Sequence, residues 1–146
     1  DYAQRFGLGL PTGFLLPEKT GLIPTAAWKL ETKHERWWPG ETLSAAIGQS
    51  YLLTTPLQIT RMFASIFTGY LVKPRIIVDE PIEAVPLNIK PETLEFLQRS
   101  MRSVVTEGTG KSIQTSKNIT VYAKTSTAQV TSLKAKRNKE DLEHGW

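Results

Sequence analysis

A mixed α/β chain, built from helices and at least one strand, is what this sequence predicts. Two segments with helical periodicity and one β-branched, aromatic run carry that reading. Ile59, Met62, Phe63, Ile66 and Phe67 fall at i, i+3, i+4, i+7 and i+8, the spacing of one apolar helical face. Leu94, Leu97, Met101, Val104 and Val105 repeat that geometry at i, i+3, i+7, i+10 and i+11. Ile119-Thr120-Val121-Tyr122 suits a pleated, half-buried surface instead.

Taken in order, residues 1–42 are dense in Pro and Gly, with Trp28, Trp37 and Trp38 interspersed. They predict mostly irregular structure held by aromatic anchors, with Trp37-Trp38 packed inside rather than forming a ligand platform. Thr54 and Thr55 before Pro56 supply an N-cap and a first turn. The first helix should run over about 56–68 and stop at Gly69. Its Met and Phe stripe reads as core. Val72 to Val78 could be extended, bent at Pro74. Pro91 opens a second helix, about 91–106, ended by Gly108-Thr109-Gly110. A turn around Ser116-Lys117-Asn118 leads into a strand at about 119–130. Ser132 to Asp141 reads as a loop, and a further strand begins at about 143. There is no internal repeat and no low-complexity tract.

Bulk properties narrow the function. The 146 residues suit one domain or part of a larger one, and a hydrophobic content of 40% is enough for a core. The net charge is 18 − 14 = +4, partly from Lys134, Lys136, Arg137 and Lys139. No helix rich in Arg and Asn and no RNP-like aromatic box accompanies it, so nucleic acid is not the expected partner. The chain has no cysteine, which excludes disulfides, thiolate metal sites and a cysteine nucleophile. No run of 18 or more apolar residues occurs. His34 and His144 have no metal-ligand spacing, and Glu18, Glu41 and Glu143 form no catalytic carboxylate pair. Gly110-Lys111-Ser112 mimics the end of a P-loop. The glycine that pattern needs five residues earlier is Val105, and the flanking elements are in the wrong order.

The chemistry concentrates in Lys124-Thr125-Ser126-Thr127, at the end of the β-branched run. Strand alternation puts Lys124 and Ser126 on one face and Thr125 and Thr127 on the other. A cation and several hydroxyls on one rigid strand can receive an anion. This stretch resembles the Lys-Thr-Gly box, the third of three boxes in serine penicillin-recognising enzymes. Ordered blocks elsewhere strengthen the likeness: Phe6-Gly7-Leu8-Gly9, Leu16-Pro17-Glu18, Gly21-Leu22-Ile23-Pro24, Trp38-Pro39-Gly40-Glu41-Thr42, Ile47-Gly48-Gln49-Ser50-Tyr51 and Thr54-Thr55-Pro56-Leu57-Gln58. Together they resemble the transpeptidase domain of class B penicillin-binding proteins, above all the elongation-type penicillin-binding protein 2, from about Phe6 to Trp146.

The resemblance implies a penicillin-binding protein transpeptidase/β-lactamase-like fold, an antiparallel sheet flanked by helices, present here only in part. It implies a peptidoglycan D,D-transpeptidase acting on D-Ala-D-Ala stem peptides through a serine acyl-enzyme and trapped by β-lactams. Lys124 would bond the second-box serine and add positive potential in a cleft shared with an upstream serine. Thr125 and Thr127 would bind the substrate carboxylate. The backbone N–H of Thr127 would be one oxyanion-hole donor, a contribution of about 2.7–4 kcal/mol. Ser126 departs from the family's glycine and so bears on substrate fit. No Ser-x-x-Lys occurs; Thr131-Ser132-Leu133-Lys134 has Thr in the serine's place. Ser116-Lys117-Asn118 matches Ser-x-Asn, but stands too close to Lys124 to be the second box. The nucleophile is thus expected outside this chain, which reads as a C-terminal piece cut at both ends and inactive and poorly stable alone. No cofactor or metal is implied. Partners would be the stem peptide, β-lactams and cell-wall elongation proteins. The location would be the bacterial inner membrane, facing the periplasm, with the anchor elsewhere. A β-lactamase of the same fold and a non-catalytic sensor module are the competing readings.

Overall fold

The computed structural model describes residues 2–113, 118–129 and 143–145, with 127–129 and 143–145 described by backbone alone. The turn expected at Ser116-Lys117, the loop 132–141, the near-miss Thr131–Lys134 and Trp146 lie outside the described residues. The chain divides into two compact units, Asp1–Lys90 and Pro91–Trp146.

The first unit holds α1 (Tyr2–Arg5), α2 (Ala26–Lys33), α3 (Pro39–Ala46), α4 (Pro56–Thr68) and an antiparallel pair, β1 (Tyr70–Val72) with β2 (Ala84–Pro86). Thr55 caps α4: its hydroxyl accepts the Gln58 N–H at 3.2 Å, while Gln58 Oε1 accepts the Thr55 N–H at 3.1 Å. This reciprocal box satisfies two orphan donors at the helix start. Gly69 closes α4 in the left-handed region at φ 77°, where glycine has no Cβ to clash. Pro74 lies beyond β1, which ends at Val72, so the extended segment is shorter than the sequence suggests.

The buried line of α4 is not quite the one periodicity predicts. Ile66 is buried, but Phe67 is 41% exposed, and the deepest positions include Gln58 and Ser65. A glutamine can sit there because its polar groups are satisfied. Gln58 Nε2 donates to the carbonyls of Leu10 and Thr20, each at 2.8 Å. The amide therefore stitches the Pro/Gly-rich segment to α4. Gly21 lies beside this stitch at φ 63°, where a Cβ would stand 2.3 Å from the Leu53 carbonyl oxygen. The close approach serves the Leu22–Leu53 bridge, whose two backbone bonds measure 2.8 and 2.9 Å.

Residues 1–42 are more regular than expected, because α2 and the start of α3 fall inside them. Thr25 caps α2 by accepting the Trp28 N–H at 3.1 Å, and Pro39 opens α3. Trp37-Trp38 is also corrected: Trp38 is 49% exposed, with the Arg36 guanidinium 3.8 Å from its ring centroid. Trp37 instead donates its indole N–H to Thr42 at 2.8 Å. Trp28 is the aromatic anchor that packs, 5.3 Å from the Tyr51 ring.

Between α2 and α3 lies a buried cation. Lys29 is 1% exposed. Its ammonium meets Glu41 at 2.7 Å, Glu35 at 3.3 Å and the Arg36 carbonyl at 3.2 Å. The bond to Glu41 holds Lys29 above its ordinary pKa, against burial, which alone would lower it. Glu41 is held below the usual carboxylate range by Lys29 and by the Trp38 N–H.

The second unit holds α5 (Pro91–Thr106), a 3₁₀ turn (Lys111–Ile113) and an antiparallel pair, β3 (Thr127–Gln129) with β4 (Glu143–Gly145). Here the apolar face lies where periodicity puts it, with Met101 and Val105 at its centre. Gly108 and Gly110 close α5 by donating to the Ser103 and Val104 carbonyls, both at 2.9 Å. Among the described residues, 119–126 carry no strand pairing, and Thr127–Gln129 pairs in the register Thr127↔Gly145.

Two stability predictions follow from the first unit. Gln58→Leu strands the Leu10 and Thr20 carbonyls and the Thr55 N–H. It should cost about 2–4 kcal/mol, read from the urea midpoint of the full-length protein. For the Lys29–Glu41 pair, folding favours the charged form of both groups. Its contribution is complete between the ordinary carboxylate and lysine ranges. It fades in acid as pH falls through the depressed Glu41 pKa, and in alkali as pH rises through the raised Lys29 pKa. The Tm difference between wild type and Glu41→Gln should therefore be constant near neutrality and shrink below about pH 4.3.

Candidate functional site

The expected site is built on α5 and the segment that follows it. Met101 and Val105 bury the helix face, and half-buried Val121 and Ala123 alternate with exposed Tyr122 and Lys124. The Ala123 N–H donates to the Met101 carbonyl at 3.1 Å. Arg102 Nη1 donates to the Val121 carbonyl at 2.8 Å. These two bonds attach residues 121 and 123 to α5.

Beyond Ala123 the box enters β3. Lys124 is exposed, and its ammonium donates to the Thr125 carbonyl at 2.6 Å. Thr125 is exposed, with its hydroxyl oxygen 3.4 Å from that of Thr109 in the glycine turn. Ser126 is exposed as well. Thr127 is the first residue of β3, opposite Gly145. The structure therefore brings Lys124, Thr125, Ser126 and Thr127 together as one continuous segment. It places Lys124 just ahead of the strand rather than on it. The cleft that the sequence reading puts around the ammonium is not formed by the contacts described for Lys124.

Arg102 and Thr109 are contacts the sequence reading missed. Arg102 follows Met101 on the flank of the apolar face, where a cation normally signals a solvated side chain. No spacing rule ties it to a backbone carbonyl 19 residues on. Thr109 offered only the small residue between two glycines that stop a helix.

The first unit has a surface groove of about 290 Å³ lined by Thr12, Arg61, Lys73 and Glu83 among others. Its polar groups are engaged within the fold. Arg61 Nε donates to the Val72 carbonyl at 2.7 Å, and Lys73 meets Glu83 at 2.6 Å. Glu18, close by, accepts the Thr12 hydroxyl at 2.7 Å and the Thr12 and Gly13 N–H groups at 2.8 and 3.0 Å. Burial pushes the Glu18 pKa up, but these bonds outweigh it and hold the carboxyl below its ordinary value. The groove is a braced loop, remote in sequence from the box.

The profile of the penicillin binding protein transpeptidase domain matches residues 1–146. The chain belongs to the penicillin-binding protein transpeptidase family. It is 32% identical to peptidoglycan D,D-transpeptidase MrdA of Acinetobacter baumannii over 165 residues, 99% of this chain and 24% of that protein. Penicillin-binding protein 2 from Helicobacter pylori matches it in structure with a TM-score of 0.80 at 33% identity, over 87% of this chain and 25% of that one. The same kind of protein from that organism, solved in complex with MreC, matches with a TM-score of 0.78, also at 33% identity and the same coverage. This chain thus spans about a quarter of the length of these relatives. Its mixed helix and antiparallel-sheet architecture is theirs, in part. The resemblance to the elongation-type penicillin-binding protein 2 is borne out.

Among the described residues, no helix is long and apolar enough to cross a membrane.

Proposed function

We propose that this chain is the part of a peptidoglycan D,D-transpeptidase that carries the third box, and that it works with a serine encoded elsewhere in the same protein. What supports the reading most is Lys124-Thr125-Ser126-Thr127 standing at the entrance to β3 in a chain of this family. The serine attacks the carbonyl of the penultimate D-Ala of a stem peptide. Terminal D-Ala leaves, and an amine of a second stem peptide takes the acyl group and releases the serine. A β-lactam enters the same path and stays attached as the acyl-enzyme.

In this scheme the chain binds and polarises rather than attacks. The Lys124 ammonium, exposed here and donating to its neighbour's carbonyl, turns toward the second-box serine when the helical layer bearing it closes over the segment. The Thr125 and Thr127 hydroxyls take the substrate carboxylate. The Thr127 N–H is one of two donors to the developing oxyanion, the serine's own N–H being the other. Ser126 puts a hydroxymethyl group where close backbone approach favours glycine. The chain alone, without Ser-x-x-Lys, cannot form an acyl-enzyme by this route.

The full-length protein would be anchored in the bacterial inner membrane, with its catalytic domain on the periplasmic side. It would work with elongation proteins of the kind that MreC represents for the Helicobacter pylori relative.

Fluorescent-penicillin labelling of the full-length protein tests this reading. Lys124→Ala should abolish labelling while leaving the Tm unchanged, because its side chain is exposed and supports no packing. Labelling at the wild-type rate would remove Lys124 from the mechanism. Ser126→Gly should label as fast as wild type or faster. A large loss there would give the hydroxyl a positive role.

A further inference from the structure

We propose that Arg36 and Trp38 form a docking platform for the glycan strand of peptidoglycan, a polymer of N-acetylated amino sugars that carries carboxylate-bearing stem peptides. Such a polymer is the substrate only under the function proposed above, so the platform rests on that reading and extends it to a second site.

The connection between α2 and α3 is held at each of residues 35–38. The buried Lys29 ammonium takes the Glu35 carboxylate at 3.3 Å and the Arg36 carbonyl at 3.2 Å. The Trp37 indole donates to the Thr42 hydroxyl at 2.8 Å. The Trp38 N–H donates to Glu41 at 2.7 Å, and Glu41 in turn meets Lys29 at 2.7 Å. Taking an ammonium out of water is costly unless it is paired, and here its partners are groups that fix this connection. A segment braced in this way has little freedom left to lose when it binds.

Two side chains of the braced segment face outward. Trp38 is 49% exposed, with the Arg36 guanidinium 3.8 Å from its ring centroid. Among the described residues, that guanidinium has no hydrogen-bond or ion-pair partner, and neither has the exposed Lys33 ammonium at the end of α2. Glu35, the acid next to Arg36 in sequence, meets Lys29 instead.

An open indole beside free N–H donors suits a sugar. A pyranose ring presents apolar C–H groups on its face and hydroxyl and N-acetyl oxygens at its rim. The indole takes the face, and the guanidinium fork donates to the rim or to a stem-peptide carboxylate. Charge points the same way, since Arg36 and Lys33 are cations and the peptides on the strand are anionic. An apolar protein surface would cover the indole but leave the guanidinium donors desolvated and unpaired.

The test measures binding of the full-length protein to purified peptidoglycan sacculi by co-sedimentation, in detergent and after saturation with unlabelled penicillin. Acylation closes the transpeptidase site, so the sedimenting fraction reports on contacts elsewhere. Trp38→Ala should weaken binding roughly tenfold, the loss typical of a truncated aromatic anchor, with partial recovery in Trp38→Phe. Arg36→Met keeps the aliphatic stem, removes the donors and should weaken binding several-fold. Neither should change the Tm, because both side chains are exposed. A soluble oligomer of N-acetylglucosamine should displace the wild type. Wild-type binding in Trp38→Ala, or no displacement by the oligomer, overturns the platform. So does a lowered Tm or a failure to fold in Trp38→Ala, which would mean that the indole packs against the rest of the protein. Loss of penicillin labelling in Lys124→Ala together with wild-type sedimentation of Trp38→Ala sinks this inference alone. Normal labelling in Lys124→Ala sinks the proposed function, whatever the sacculi show.

Discussion

The second unit depends on where the backbone groups of residues 121 and 123 go. Both are given to α5 before the chain reaches β3. An extended segment with unpaired N–H and C=O groups must find partners or leave them to water, and here a helix side chain and a helix carbonyl provide them. Among the described residues the ladder covers Thr127–Gln129, and Lys124 just before it is exposed. Among these residues, the segment leading into the box is attached to a helix, and the box is paired to a strand at Thr127. A charged side chain performs the attachment in part, although its own position looks solvated by pattern.

The first unit solves a different problem. Its early segment has too little regular structure to bury its own backbone, and polar side chains supply the missing order. Gln58 joins the Leu10 and Thr20 carbonyls to α4, Glu18 gathers the N–H groups of Thr12 and Gly13, and Lys29 joins α2 to α3. Fully satisfied, such groups fix a single arrangement. Partly satisfied, they are costly. The buried apolar set of this unit is correspondingly thin: Leu8, Ile66 and Leu87.

Long, periodic elements were legible in the sequence. α4 and α5 span Pro56–Thr68 and Pro91–Thr106, because Pro at the first turn, a strong apolar period and a terminal glycine all agree there. α2 and α3 were not legible, since eight residues give too little period to outweigh the surrounding Pro and Gly. Thr25 before two alanines and Pro39 before Glu41 are their local start signals. Of the strand expected over about 119–130, Thr127–Gln129 is described as paired; Ile119 to Tyr122 carry strand propensity, and propensity does not say which strand is the neighbour. The residues of the candidate site were legible as one box. Their anchoring was not, because Arg102 and Val121 meet only through the turn of the chain between them.

Lys29 adds a consequence for how the molecule meets other proteins. A protease of trypsin's specificity must take a basic side chain into its own pocket, and this one lies inside the α2–α3 junction with its ammonium already clasped by Glu41. The exposed Lys33 and Arg36 a few residues on offer themselves first. The peptide bond after Lys29 is thereby shielded by the fold itself, and stays closed to digestion until that junction comes apart.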